Sequence, residues 1–252
     1  MNLRKLKHGV LGAVMASLAF DGVHAAVPAS TWQFVPTPLE WESWPQYCRV
    51  QWTRWTGGLD LESRPAYSAT EQENWRATIG GKTYDGLHHW CASMHYLSRS
   101  RGLSDPAKRK FMLGQAWLDA EFSYSRAEPQ SPVFPNMSVT VAQIKLDMME
   151  TEYAIDVLRR SIEAQPSRVE HYGMLANIFR RQGNLEEALK VLNAANLAVS
   201  GTSAEIQYNL GLINLERGDY PAALGSAQAA YRLGYPLPWL KDKLTQLGVW
   251  KD

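Results

Sequence analysis

The chain carries almost no surplus of charge. Its 252 residues include 26 Lys and Arg against 25 Asp and Glu, a formal net charge of +1. Proteins that hold nucleic acid through its phosphates need a basic excess gathered on one face, so nucleic acid is excluded as a partner. Long apolar runs are missing as well. Beyond the first 25 residues no stretch approaches the ~18 uninterrupted apolar residues of a membrane-spanning helix. Signatures of catalysis are absent too: there is no G-x-S-x-G, no H-E-x-x-H, no phosphate loop and no dinucleotide fingerprint. The acidic pairs Glu40/Glu42 and Glu186/Glu187 fall on amphipathic stretches, where a solvated helix face explains them. The sequence reads as a non-enzyme with no cofactor.

Cysteine is nearly absent, with Cys48 and Cys91 the only two. No Cys follows the apolar run near the start, which excludes an anchor of the bacterial lipoprotein type. That run, Val10 to Phe20, follows Arg4, Lys5 and Lys7 and precedes Val23-His24-Ala25. A positive start, a short apolar segment and small residues after it form a secretory signal peptide, too short for a stable membrane anchor. Residues 1–25 are therefore expected to be removed, with cleavage after Ala25 and Ala26 as the second choice. The mature chain would be close to neutral, have no membrane anchor and reside in the periplasm of a Gram-negative bacterium. An even pair of cysteines in an oxidising compartment predicts a Cys48–Cys91 disulfide, the alternative being two separate buried thiols. The bridge would close a loop of roughly 43 residues, worth about 3–4 kcal/mol by chain entropy.

Against these absences stands one abundance, which is repetition. The run Tyr172-Gly-Met-Leu-Ala-Asn-Ile-Phe-Arg-Arg-Gln-Gly183 aligns with Gln207-Tyr-Asn-Leu-Gly-Leu-Ile-Asn-Leu-Glu-Arg-Gly218. Ala154, Ala188 and Ala223 then take the same place in three successive second helices, where a small side chain lets two helices approach closely. This order of residues resembles the tetratricopeptide repeat, a helical hairpin of about 34 residues. The resemblance implies an all-α fold of stacked helical hairpins, a tetratricopeptide-like right-handed solenoid whose units bury their apolar stripes only against neighbours. About three units occupy residues 135–235, and a capping helix in 236–252, from Leu237 to about Leu247, covers the last apolar face. In the first unit Met149 stands where the others have Gly183 and Gly218, so its turn is expected to differ from the family's.

Residues 26–134 precede the repeats as a Trp-rich helical cap that continues the same body. Pro28 and Pro36 keep residues 26–37 extended. Ser43-Trp-Pro45-Gln46 is a capping-box pattern that opens a helix to about Trp55, stopped at Gly57-Gly58, and Ser68 to Glu71 opens another that ends at Gly80-Gly81. A longer helix runs from about Tyr84 to Arg101. Ser104-Asp105-Pro106 caps the next, with Phe111, Met112, Ala116, Trp117, Ala120 and Phe122 on its inner side. The tryptophan pairs Trp41/Trp44 and Trp52/Trp55 recur at helical spacing, which suits buried anchors.

Two rival readings attach to this region. Exposed Trp within residues 32–55 would make a cell-wall or polysaccharide accessory protein that binds glycan. His88, Cys91 and His95 fall at i, i+3 and i+7 on one helix face, as a metal or redox protein built around Cys91 and His95 would require. Zinc or copper accepts such ligands, but a structural site takes four from two elements and no partner cluster exists, so no metal is assigned.

The resemblance also points to a site. In this family the first helix of each hairpin lines the concave side, so a protein or peptide partner is expected in that groove. With Val169 and Ala204 as first positions, the groove face carries Glu170, Gly173, Met174, Asn177, Arg180 and Arg181, then Glu205, Tyr208, Asn209, Leu212, Leu215 and Glu216. Asn177 and Asn209 match the two Asn places used by members that grip a terminal carboxylate, and Lys243 falls near a third, basic place. Gly173 and Trp239 stand where that clamp has Lys. The peptide-binding set is accordingly Asn177, Arg180, Arg181, Tyr208, Asn209, Leu212 and Lys243, in an adaptor serving envelope assembly or secretion.

Overall fold

The computed structural model describes residues 34–56 and 67–251, with the side chains of residues 55 and 56 excepted. The signal peptide, its cleavage point, Trp32 and the Gly57-Gly58 stop lie outside the described residues, as does the side chain of Trp55. Val35–Asp252 forms one compact unit.

Among the described residues every regular element is a helix. The order is α1 (Pro38–Ser43), α2 (Gln46–Thr56), α3 (Ala69–Ile79), α4 (Gly81–Arg101), α5 (Pro106–Tyr124) and α6 (Phe134–Asp147). There follow α7 (Thr151–Ala164), α8 (Glu170–Arg181), α9 (Leu185–Ala198), α10 (Ala204–Glu216), α11 (Tyr220–Arg232) and α12 (Trp239–Gln246). Local chemistry sets several boundaries. Thr37 and Ser68 each close a capping box, with Glu40 and Glu71, and Asp105 accepts from the backbone N–H groups of Ala107 and Lys108. The Thr37 box, with Pro38 at the first helical position, makes α1 a short helix directly after the expected lead-in of residues 26–37, and Ser43, expected to cap α2, instead ends α1 with its hydroxyl donating to Glu40 O at 2.8 Å.

Successive helices pair as hairpins α4/α5, α6/α7, α8/α9 and α10/α11, and the first helices α4, α6, α8 and α10 touch one another in turn. This is the stacked-hairpin solenoid expected from the repeat. Ala154, Ala188 and Ala223 are fully buried at the seams. Leu158, Tyr172, Leu175, Leu192 and Ile206 join two of them in one continuous core across α6–α10. The end of the stack is closed by α12, whose Leu240 and Leu244 pack on Tyr208, Ala223, Ala227 and Ala230. Gly211 makes this possible, since a methyl there would lie 2.7 Å from the Leu240 side chain.

The first repeat does not turn differently from the others. Met149 adopts φ 67°, beside 76° for Gly183 and 78° for Gly218. The same backbone bond closes each turn: Glu150 N–H donates to Lys145 O, Asn184 to Phe179 O and Asp219 to Asn214 O, at 2.8, 2.9 and 2.9 Å. Geometry imposed by two flanking helices overrides the residue's own preference for negative φ.

Cys48 and Cys91 form a disulfide with Cα atoms 5.8 Å apart, joining α2 to α4. Around it the Trp44 indole donates to Cys91 O at 3.0 Å. Arg99 of α4 grips both oxygens of Glu40 at 2.7 and 2.5 Å. Burial alone would raise the Glu40 carboxyl, but Arg99 and the Thr37 backbone hold it down at about 2. In α5 the inner face is small: Leu113, Ala116, Ala120 and Ser123 are the buried residues. Phe111 and Phe122, expected inside, are 60% and 38% exposed. At this seam Ser123 lies against Gly86 of α4 and its hydroxyl donates to Gly86 O at 2.7 Å, while the Phe122 ring packs beside His89 at its edge.

Candidate functional site

The first helices of the hairpins wall a groove of about 1040 Å³. Met94 of α4, Val139 and Leu146 of α6 and Met174 of α8 give it an apolar lining, and Gln143, Asn177 and Asn209 supply amides. Glu170, Gly173 and Glu205 mark the rim at the N-terminal ends of α8 and α10. Arg101, Asp147 and Arg181 mark the opposite rim. Glu170, Glu205, Arg101 and Arg181 follow the helix dipole, whereas Asp147, at the C-terminal end of α6, runs against it and is held by Arg101.

Most of these charges are already matched. Arg101 pairs with Asp147 at 2.8 Å and Arg168 with Glu170 at 2.7 Å. Arg180 reaches Glu216 of the next repeat at 2.5 Å and donates to Asn177 Oδ1 at 3.1 Å. Arg181 and Glu205 have no such partner among the described residues. Burial, aided by the charge of Glu170, pushes the Glu205 carboxyl above its ordinary range, while Arg168 holds Glu170 below it despite burial.

The residues expected in the groove thus divide. Asn177, Arg181 and Asn209 line it. Arg180 and Leu212 instead border a small recess of about 60 Å³ beside Asn177 and Asn209. Tyr208 is buried, its ring stacked on Tyr235 with centroids 3.9 Å apart, so it packs the C-terminal cap and is not a groove contact. Lys243 is exposed on α12 and does not line the groove. Sequence reasoning missed the wall contributed by α4 and α6. Its signal was present, since the same register with Pro135 as first position puts Gln143 in the place of Asn177.

The rival sites take other forms. Trp41, Trp44 and Trp52 are buried, with neighbouring rings 5.9 and 5.4 Å apart, so they form a core around the disulfide and not a glycan platform. Cys91 is spent in the disulfide. His95 packs tilted against Trp44 with ring centroids 5.3 Å apart, and burial drives the His88 imidazole down to about 3. No group of three or more His, Cys, Asp or Glu gathers to hold a metal among the described residues. Nor is any described helix long and apolar enough to cross a membrane.

Comparison with a protein-family model agrees with the repeat geometry. Residues 142–197 and 197–235 match the family model described as tetratricopeptide repeat. A crystal structure of MamA is similar at 12% identity and a TM-score of 0.42, over 71% of this chain and 99% of that one. A search of curated proteins returns no match. The hairpins α6/α7, α8/α9 and α10/α11, with their buried alanines and left-handed turns, are the part of the chain that matches the tetratricopeptide repeat, over residues 142–235.

Proposed function

We propose that the chain is a periplasmic scaffold that holds a segment of a protein partner in the groove between α4, α6, α8 and α10, in envelope assembly or secretion. A protein-interaction role is what the repeat family supports. The observation that carries the groove is its combination of size, apolar lining and two unmatched charges, Arg181 and Glu205. Grooves of this volume suit an inserted side-chain array, and half-buried amides such as Asn177 and Asn209 fix its orientation. The signal-like start and the disulfide support an oxidising location. We assign no reaction to the site.

Placing a photo-crosslinking amino acid at residue 177, at residue 209 and at the outward-facing residue 190 tests the reading in intact cells. Capture of one protein from positions 177 and 209 but not from 190 is the expected result. Capture from 190 alone would put the interface on the outer surface and end the groove reading.

A further inference from the structure

Gly173 leaves a gap in the wall of the groove. A methyl group at that residue would lie 3.1 Å from Glu205 Oε1 and 3.8 Å from Asn209 Nδ2. The Glu205 carboxylate, from the first turn of α10, therefore rests against bare α8 backbone. It makes no hydrogen bond or ion pair among the described residues, whereas Glu170 close by is held by Arg168. Two carboxylates share this end of the groove with a single arginine. A terminal carboxylate arriving here would meet a like charge, but a cation would complete the pair and gain a charge-assisted hydrogen bond.

We propose that the nook formed by Gly173, Glu205 and Asn209 takes a lysine or arginine side chain of the bound segment, with Glu205 as its counter-ion. This rests on the groove being the place where a partner lies, and it specifies the chemistry of that partner at one point. The sign of the nook is opposite to the one a carboxylate clamp needs: glycine stands where a clamp has lysine, and the neighbouring helix fills the gap with an acid. Glu205 stands exposed on the rim, yet partial burial and the Glu170 charge raise its carboxyl, and a cation beside it would relieve both.

A phage-displayed random-peptide library selected on the purified full chain tests the inference. The expected pool is enriched in Lys or Arg at one position. A synthetic peptide from that pool should bind at least about tenfold more weakly when that residue is Ala, and equally so on Glu205→Gln. The two changes together should cost no more than either alone. Gly173→Ala, which displaces the carboxylate, should weaken the parent peptide and leave its Ala version unaffected. Loss of binding on acetylating the peptide's N-terminus, with the basic side chain intact, would overturn the side-chain assignment. If Asn177→Trp abolishes binding while Glu205→Gln leaves it unchanged, the groove stands and the cation nook is overturned. If Asn177→Trp leaves binding intact, or no peptide is selected, the groove reading falls and this inference falls with it.

Discussion

Replacing Met149 with glycine is expected to raise the stability of the chain. The residue sits at φ 67°, in the left-handed region that an L side chain enters at a cost of about 1–2 kcal/mol. Glycine removes that cost but gives back about 0.5–1 kcal/mol through the greater freedom of the unfolded chain. The methionine side chain is 87% exposed, so little packing is lost with it. The balance is a gain of roughly 0.5–1 kcal/mol, which in a chain of this size moves the midpoint of thermal unfolding up by about 1–4 °C. Far-UV circular dichroism during a thermal scan measures it directly. The mirror experiment, Gly183→Met, should lower the midpoint by a similar amount or more, since Gly183 sits at φ 76° in an equivalent turn. An unchanged or lower midpoint for Met149→Gly would refute the reasoning, because it would mean that the methionine either makes contacts that offset its backbone cost or does not hold the left-handed conformation in solution.

Cys48→Ser should lower stability in urea unfolding by about 2–5 kcal/mol, because it frees a loop spanned by 43 residues of sequence separation; a loss below about 1 kcal/mol would contradict the staple role. His171 supplies a pH dependence. It is fully buried, its Nδ1 lies 3.1 Å from Ser161 Oγ, and burial, partly offset by Glu170, pushes its imidazole from 6.5 down to about 4. The unfolded chain therefore binds a proton that the folded chain refuses, so stability is full above the unfolded value and is lost as pH falls through the window from 6.5 to about 4. Unfolding free energy should drop by roughly 2 kcal/mol between about pH 7 and 5 from this group, and His171→Asn should flatten that slope. An equal slope in the variant would assign the effect elsewhere.

The repeat was legible because its demands are local: a small residue at each seam, as at Ala188, and glycine at a turn, as at Gly183, are read one position at a time. The backbone of Met149 was not legible for the same reason, since the flanking helices and not the residue dictate its conformation. The short helix α1 could have been found, as Thr37-Pro38-Leu39-Glu40 carries both the capping box and the proline that opens it. In the groove, register placed Asn177, Arg181 and Asn209 on the helix face that lines the cavity. It could not show that Arg180 spends its charge on Glu216 of the next repeat, nor that Tyr235 and α12 fold over Tyr208. Those outcomes depend on contacts between elements far apart in sequence or on the way the last cap lies down. The aromatic stripe of α5 misled because Ala116 and Ala120 bury better than Phe111 where two helices run so close.

The two ends of the stack are fastened by different means. At one end a covalent bond ties α2 to α4; at the other, α12 is held without one, by Leu240 and Leu244 seated over Gly211 and by the Tyr231 hydroxyl, which accepts from Lys241 N–H. In an array where each hairpin leans on the next, breathing begins at the looser terminus and travels inward. The groove runs along that same axis, from Met94 and Arg101 on the stapled side to Glu205 and Asn209 on the loose side. A segment held there as proposed would be let go in sequence, peeled first from α10 while still held at α4, in the order of the helices.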